Sequence, residues 1–282
     1  MSHSARLANS LPSAISVEDR LFLADIFERE PDIGRRLASV AWVPTEQRVG
    51  FARAETEQLP RAGWVRIGAP GPIETVAEHT DDMVMLAGML NAPGYQLDRV
   101  QRMAKVHDLP EGASADITPK SDISKADKKR LEHIAATIIF ESDATGMLAD
   151  WREFEFGSSP ERTLTHDLDQ LQMLGKALEI EANGSDLRQE LDDFWQYAEQ
   201  RIVTTVGRQF FENLVTERQD LHAGRTPYPA RAEIFWSKAL RPPVGEPGAD
   251  ISLSALAMLR ERKANGFYND HEAIARPNFM GS

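Results

Sequence analysis

Apolar residues recur three and four positions apart along most of this chain, and no alternating run of β-branched residues is long enough to make a strand. A segment with that period buries a single face only as a helix, so the chain is read as an all-α helical bundle. Ser16-Val17-Glu18-Asp19 reads as a capping box opening a helix to about residue 30, with further helices over 32–41 and 45–59. The stretch 60–73 reads as loop, broken by Gly68-Ala69-Pro70-Gly71-Pro72 and carrying Trp64 as its one large side chain. Thr75-Val76-Ala77-Glu78 is a second capping box. The helix it starts lines up Met83, Leu86, Ala87 and Leu90 until Asn91-Ala92-Pro93-Gly94 stops it, which places His79 in its first turns.

From Leu97 a further helix carries Val100, Ala104 and His107 on one apolar face, so His107 is expected to be buried. Pro110 disfavours helical backbone at Leu109 and lacks a donor, so that helix is expected to end or kink at His107-Asp108. Helices are expected at 125–141, 145–156 and 160–183. The third is apolar over most of its circumference and therefore central, and amphipathic segments follow at 186–203 and 205–221. Beyond them Pro227, Pro229 and the run Arg241 to Gly248 predict a broken C-terminal region with short helices.

The chain has no cysteine, which excludes disulfides, thiolate metal sites and a cysteine nucleophile. Any metal must sit on His, Asp and Glu. The formal charge of −12 repels polyanions, and Lys and Arg are scattered rather than striped, so a nucleic-acid polymer is not an expected partner. No apolar run approaches the roughly 18 to 20 residues that span a bilayer, and the first residues lack the apolar stretch of a signal peptide. A cytoplasmic protein with no membrane contact is expected.

A histidine followed directly by an aspartate at a helix end offers a nitrogen and an oxygen to one hard or borderline cation. His79 lies one helix upstream, and helices joined by a short loop are normally antiparallel neighbours, so it is placed to face His107. A carboxylate from the central helix would complete a set of two histidines and two aspartates. Each piece also has an ordinary reading. A buried histidine is usually a satisfied core residue, and Asp108 and Asp169 are the type of carboxylate that commonly faces solvent. On the helical wheel Asp169 lies off the leucine stripe, beside Met173.

The segments Glu74 to His79, Val106-His107-Asp108-Leu109-Pro110-Glu111 and Ala115-Asp116-Ile117-Thr118-Pro119 resemble, in order and spacing, the signature of the HD-domain 5'-deoxynucleotidases. Leu59 to Val65 is similar to the loop that precedes it, and Glu155 to Glu161 and Leu168 to Met173 are similar to two later segments. Lys125 to Glu132 runs in register as well. The likeness covers roughly residues 55–219. It implies an HD-domain fold holding one divalent metal ion on His79, His107, Asp108 and Asp169, which selects Asp169 over Asp167. It further implies Glu111 as the catalytic glutamate, Asp116 as a second acid positioning water and substrate, and Trp64 as a wall at the sugar 2' position. One departure bears on the backbone: those relatives carry Gly-Asp where this chain has Ala115-Asp116, so the backbone here is expected to differ if that glycine takes a positive φ.

The expectation is a metal-dependent hydrolase that removes the 5'-phosphate of 2'-deoxynucleoside monophosphates, with Arg66, Lys125 and Lys128 as candidates to neutralise the phosphate. An HD hydrolase of triphosphates or unusual nucleotides is the nearest alternative, and a non-catalytic nucleotide-binding or scaffolding HD module is the other. Residues 1–54 are read as an N-terminal helical extension, 55–219 as the HD domain and 220–282 as a C-terminal extension packed on it. A homodimer is expected from the resemblance.

Overall fold

Hydroxyl side chains start helices where the sequence places them. The computed structural model describes residues 2–224, apart from 119–121, 143 and 185. Its elements in order begin with α1 (His3–Asn9), α2 (Val17–Arg29), α3 (Pro31–Trp42), α4 (Arg48–Thr56), α5 (Ala62–Arg66) and α6 (Val76–Met89). They continue with α7 (Leu97–Val106), α8 (Glu111–Ser114), α9 (Lys125–Ile139), α10 (Met147–Phe156), α11 (Pro160–Ala182), α12 (Arg188–Glu199) and α13 (Thr205–His222). Among the described residues there is no strand. An isolated bridge pairs Pro60 with Thr75, where Arg61 N–H donates to the Glu74 carbonyl at 2.9 Å and Val76 N–H to the Leu59 carbonyl at 2.9 Å.

The capping box at Thr75 forms in full, with Thr75 Oγ1 accepting the Glu78 N–H and the Glu78 carboxylate accepting the Thr75 N–H. Ser16 forms half of one. Its Oγ accepts the Asp19 N–H but gives its own proton to Asp19 Oδ2, because aspartate is too short to return to the Ser16 backbone. The expected helix over 45–59 divides into a 3₁₀ turn, Thr45–Gln47, and α4. Within the expected loop 60–73 the short α5 carries Trp64, and α1 was not foreseen at all. The segment expected to end at 203 stops at Glu199; Asp167 accepts the backbone N–H groups of Val203 and Thr204, and Thr204 caps the next helix. The C-terminal region expected to be broken by prolines lies outside the described residues from 225 onward.

Three apolar clusters hold these helices. The first joins Ala8, Leu23, Ile26 and Leu37 of the N-terminal helices to Val106, Ala113, Leu131, Ile138 and Trp151 of α7 to α10. In the second, Met83, Leu86, Val100, Leu164, Leu168, Leu174, Trp195 and Phe211 bind α6 and α7 to α11, α12 and α13. Trp64, Ala177, Ile180 and Leu191 form the third. The central helix α11 contributes to the second and third, as its all-round apolar pattern requires. Each fully buried leucine contributes about 1.5–3 kcal/mol, so α11 is the element whose loss would cost most. At the other end of the site α8 rests on α4, where a β-carbon on Gly112 would collide with the Ala52 carbonyl oxygen; glycine alone allows that approach. Among the described residues no helix is long and apolar enough to cross a membrane.

Candidate metal centre

The helix carrying Met103 and Ala104 ends at Val106, and tight turns follow, with Leu109 N–H donating to Val106 O at 3.2 Å and Glu111 N–H to Asp108 O at 3.0 Å. Pro110 then leads into α8. The break expected at the His-Asp pair is therefore present, and it turns three consecutive functional side chains, His107, Asp108 and Glu111, inward. His107 is 4% exposed, His79 fully buried and Glu111 4% exposed.

His79 and His107 meet across the α6–α7 contact, with Nε2 atoms 3.3 Å apart. His107 Nδ1 donates to the Ala104 carbonyl at 2.7 Å, and His79 Nδ1 donates to Gln172 Oε1 of α11 at 2.5 Å. With both Nδ1 protons spent in this way, the two Nε2 atoms face one point, where each holds either a lone pair for a cation or a second proton shared with the carboxylates around it. Carboxylates surround that point. Asp169 Oδ1 lies 3.2 Å from His79 Nε2, and donor atoms of His79, His107 and Asp169 all fall within 4.8 Å of one another. Asp108 Oδ2 lies 3.1 Å from His107 Nε2 and 3.6 Å from His79 Nε2. The donor set is nitrogen and oxygen only, which suits a hard or borderline divalent ion. Asp167, the other aspartate on this part of α11, faces away and is engaged with Thr204.

The charges answer one another. Burial would raise the Asp108 carboxyl, but His107, Arg61 and His79 together hold it far below the usual carboxylate range. Burial likewise opposes ionisation of Asp169, and the His79 hydrogen bond and charge bring it to about 2. For His107 burial favours the neutral ring, yet Asp108 outweighs it and the pKa rises. Glu111 moves the other way: burial, then the charges of Asp108 and Asp116, push it well above its ordinary value against Lys128 and Arg61. One of its oxygens, Oε2, is buried and has no hydrogen-bond partner among the described residues. A buried oxygen left unmatched beside converging donors is what a site built for a further occupant displays.

Asp116 sits on the rim of this cluster, its Oδ2 accepting the Ala62 N–H at 2.7 Å. Ala115, just before it, takes φ +68° and ψ 161°, a conformation that glycine adopts freely and that strains alanine. Lys128 Nζ lies 3.7 Å from Glu111 and 3.3 Å from Glu132, whose carboxyl burial pushes up to about 7. Arg66 and Lys125 are exposed, and among the described residues no ion pair joins them to these carboxylates. Trp64 is 2% exposed, stacked on Phe194 with ring centroids 4.7 Å apart, and its indole N–H donates to Glu74 Oε2 at 3.0 Å.

Three participants were not singled out from sequence. Arg61 Nη1 donates to Asp108 Oδ2 at 2.9 Å, and Gln172 and Glu74 stand behind His79. All three lie inside the motif segments quoted above, which is the signal that could have found them.

The HD-domain family model matches residues 55–207. The 5'-deoxynucleotidase HDDC2 of Danio rerio is 36% identical over 136 residues, covering 45% of this chain and 65% of that protein. A second relative, the 5'-deoxynucleotidase hdd1 of Schizosaccharomyces pombe, is 32% identical over 130 residues, which are 43% of this chain and 65% of the relative. For the 5'-deoxynucleotidase HDDC2 of Mus musculus the identity is 32% over 171 residues, 58% of this chain and 83% of that protein. The chain thus spans just under two thirds of the first two relatives and more of the third.

Proposed function

The chain belongs to the HD-domain family, and from that premise we propose that it is a metal-dependent phosphohydrolase acting on 2'-deoxynucleoside 5'-monophosphates. The single observation that carries the reading is the convergence of the two imidazole Nε2 atoms with Asp108 and Asp169 beside the buried Glu111. His79, His107, Asp108 and Asp169 would hold one divalent ion. Such an ion supplies positive charge for a phosphoryl group and acidifies water.

The remaining chemistry belongs to the chain. Glu111, whose pKa burial and the charges of Asp108 and Asp116 push well above its ordinary value, can give a proton to a leaving 5'-oxygen, and as a carboxylate it can take one from water. Asp116 orients that water and substrate from the rim. Arg61 and Lys128 are the cations that stand among these carboxylates, and either can turn towards a phosphate. The sugar wall at Trp64 rests on the resemblance alone, because its ring lies in the third apolar cluster. The names of the relatives support the deoxynucleotide substrate. The family supports the metal dependence, with its identity among manganese, cobalt, iron, zinc and magnesium open to assay. In the same reading residues 55–219 form the catalytic domain between extensions at 1–54 and 220–282, and the protein is a cytoplasmic homodimer.

Phosphate release from mono-, di- and triphosphates of deoxynucleosides and ribonucleosides, with each of those metals, tests the proposal. Release from deoxynucleoside monophosphates alone supports it. Preference for triphosphates moves the chain to the alternative hydrolase class, and no release from any nucleotide with any metal leaves a binding module.

A further inference from the structure

Behind His79 runs a line of buried polar side chains whose directions are fixed by chemistry. A carboxylate only accepts, so the group Gln172 turns to Glu74 Oε1, 2.6 Å away, must be its amide NH₂. The same amide nitrogen lies 3.4 Å from Asp82 Oδ2, a second acceptor, which fixes the same orientation. The carbonyl oxygen of Gln172 then faces His79 Nδ1, and a carbonyl requires that this nitrogen carry the proton. At the far end the other Glu74 oxygen accepts the indole N–H of Trp64, which can only donate. Gln172 and Glu74 are 1% and 5% exposed, so water does not compete for these positions.

We infer that Trp64, Glu74 and Gln172 form a hydrogen-bonded relay that sets the tautomer and aim of His79, making all three positioning residues of the proposed metal centre. The inference rests on the reading of His79 as a ligand and adds a role that the resemblance does not give these side chains. Its physical content is directional. Trp64 and Gln172 both donate to Glu74, His79 donates to Gln172, and the His79 Nε2 lone pair is thereby presented to the point shared with His107, Asp108 and Asp169. The relay also joins three elements: α5 with Trp64, α11 with Gln172 and α6 with His79. Since α5 and its preceding turn deliver Arg61 to Asp108 and the Ala62 N–H to Asp116, a single segment braces both sides of the centre. A ligating histidine freed from its outer hydrogen bond loses roughly 10- to 100-fold in metal affinity.

The test uses the full chain, with manganese(II) affinity measured by chelator competition and the His79 imidazole nitrogens followed by NMR in the metal-free protein. Wild type is expected to hold its proton on Nδ1. Gln172→Leu is expected to lose roughly 10- to 100-fold in affinity and to move that proton at least in part to Nε2. Glu74→Gln is expected to weaken binding as well, because Trp64 and Gln172 donate to different oxygens of Glu74 and one of them would then face an amide NH₂. The exchange Glu74→Gln with Gln172→Glu keeps acceptors for the Trp64 and His79 protons, reverses the bond between 74 and 172 and sets a carboxylate beside Asp82 Oδ2, so it is expected to bind more tightly than Glu74→Gln alone, which a merely space-filling role would not require. Trp64→Phe keeps the stack on Phe194 and is expected to lose a few-fold. Unchanged affinity and an unchanged His79 tautomer in Gln172→Leu would overturn the relay, as would failure of the double exchange to bind more tightly than Glu74→Gln in a protein whose thermal unfolding matches wild type. If wild type binds no divalent ion, the metal reading fails separately, and the tautomer of His79 still decides the relay.

Discussion

His79 and Asp169 stand on long helices, α6 of 14 residues and α11 of 23, whereas Glu111 and Asp116 stand on and just after a helical turn of four residues that ends in a strained alanine. On the first side each group has its partners: His79 is tied to Gln172, and Asp169 lies against His79. On the second, an oxygen of Glu111 is buried without a partner among the described residues, and burial and neighbouring negative charge push its pKa up. The difference separates two tasks. Groups that hold a cation profit from rigid, satisfied surroundings, while a group that exchanges protons needs capacity left open and a perturbed pKa.

The comparison breaks most severely at Asp108, which touches both sides. Asp108→Ala deletes a proposed ligand and leaves Arg61 buried beside the remaining carboxylates. Metal content by elemental analysis and phosphate release are expected to vanish together. A variant that keeps both would show that the two sides do not meet there. Glu111→Ala sharpens the division: metal content should stay at the wild-type level while kcat falls by on the order of 100- to 10,000-fold and KM changes far less. Loss of metal in that variant would make Glu111 a ligand and erase the distinction. The smallest effect is expected at Ala115. Backbone in that region costs an L-residue of order 1–3 kcal/mol, and glycine's greater freedom in the unfolded chain returns part of it, so Ala115→Gly should stabilise by about 1 kcal/mol in chemical denaturation. A destabilised variant would show that Ala115 is not strained.

What could be read from sequence follows the same line. Helix positions were legible because caps and apolar period are local: Ser16, Thr75, Ser124, Ser159 and Thr204 each accept an N–H at the start of a helix. The end of α12 was not; just beyond it the chain is held by Asp167, more than thirty residues earlier, which accepts the N–H groups of Val203 and Thr204. At the site, motif order pointed to His79, His107, Asp108 and Asp169, and the fold draws these four together. Arg61 and Gln172 escaped notice because their significance lies in what they touch across the bundle, Asp108 at 47 positions and His79 at 93 positions of separation. Trp64 shows the limit of transfer by motif, since its placement under Phe194 and its bond to Glu74 are properties of packing that no local pattern carries.

The central claim is that the converging donors hold a metal on which hydrolysis depends. The direct measurement is phosphate release from a deoxynucleoside 5'-monophosphate by protein stripped with a chelator, dialysed, and then returned to a divalent metal. Activity that disappears on stripping and returns with metal in wild type, but not in Asp108→Ala, is the predicted result. Hydrolysis undiminished in the stripped protein, or absent from the reloaded protein with every metal tried, would contradict it.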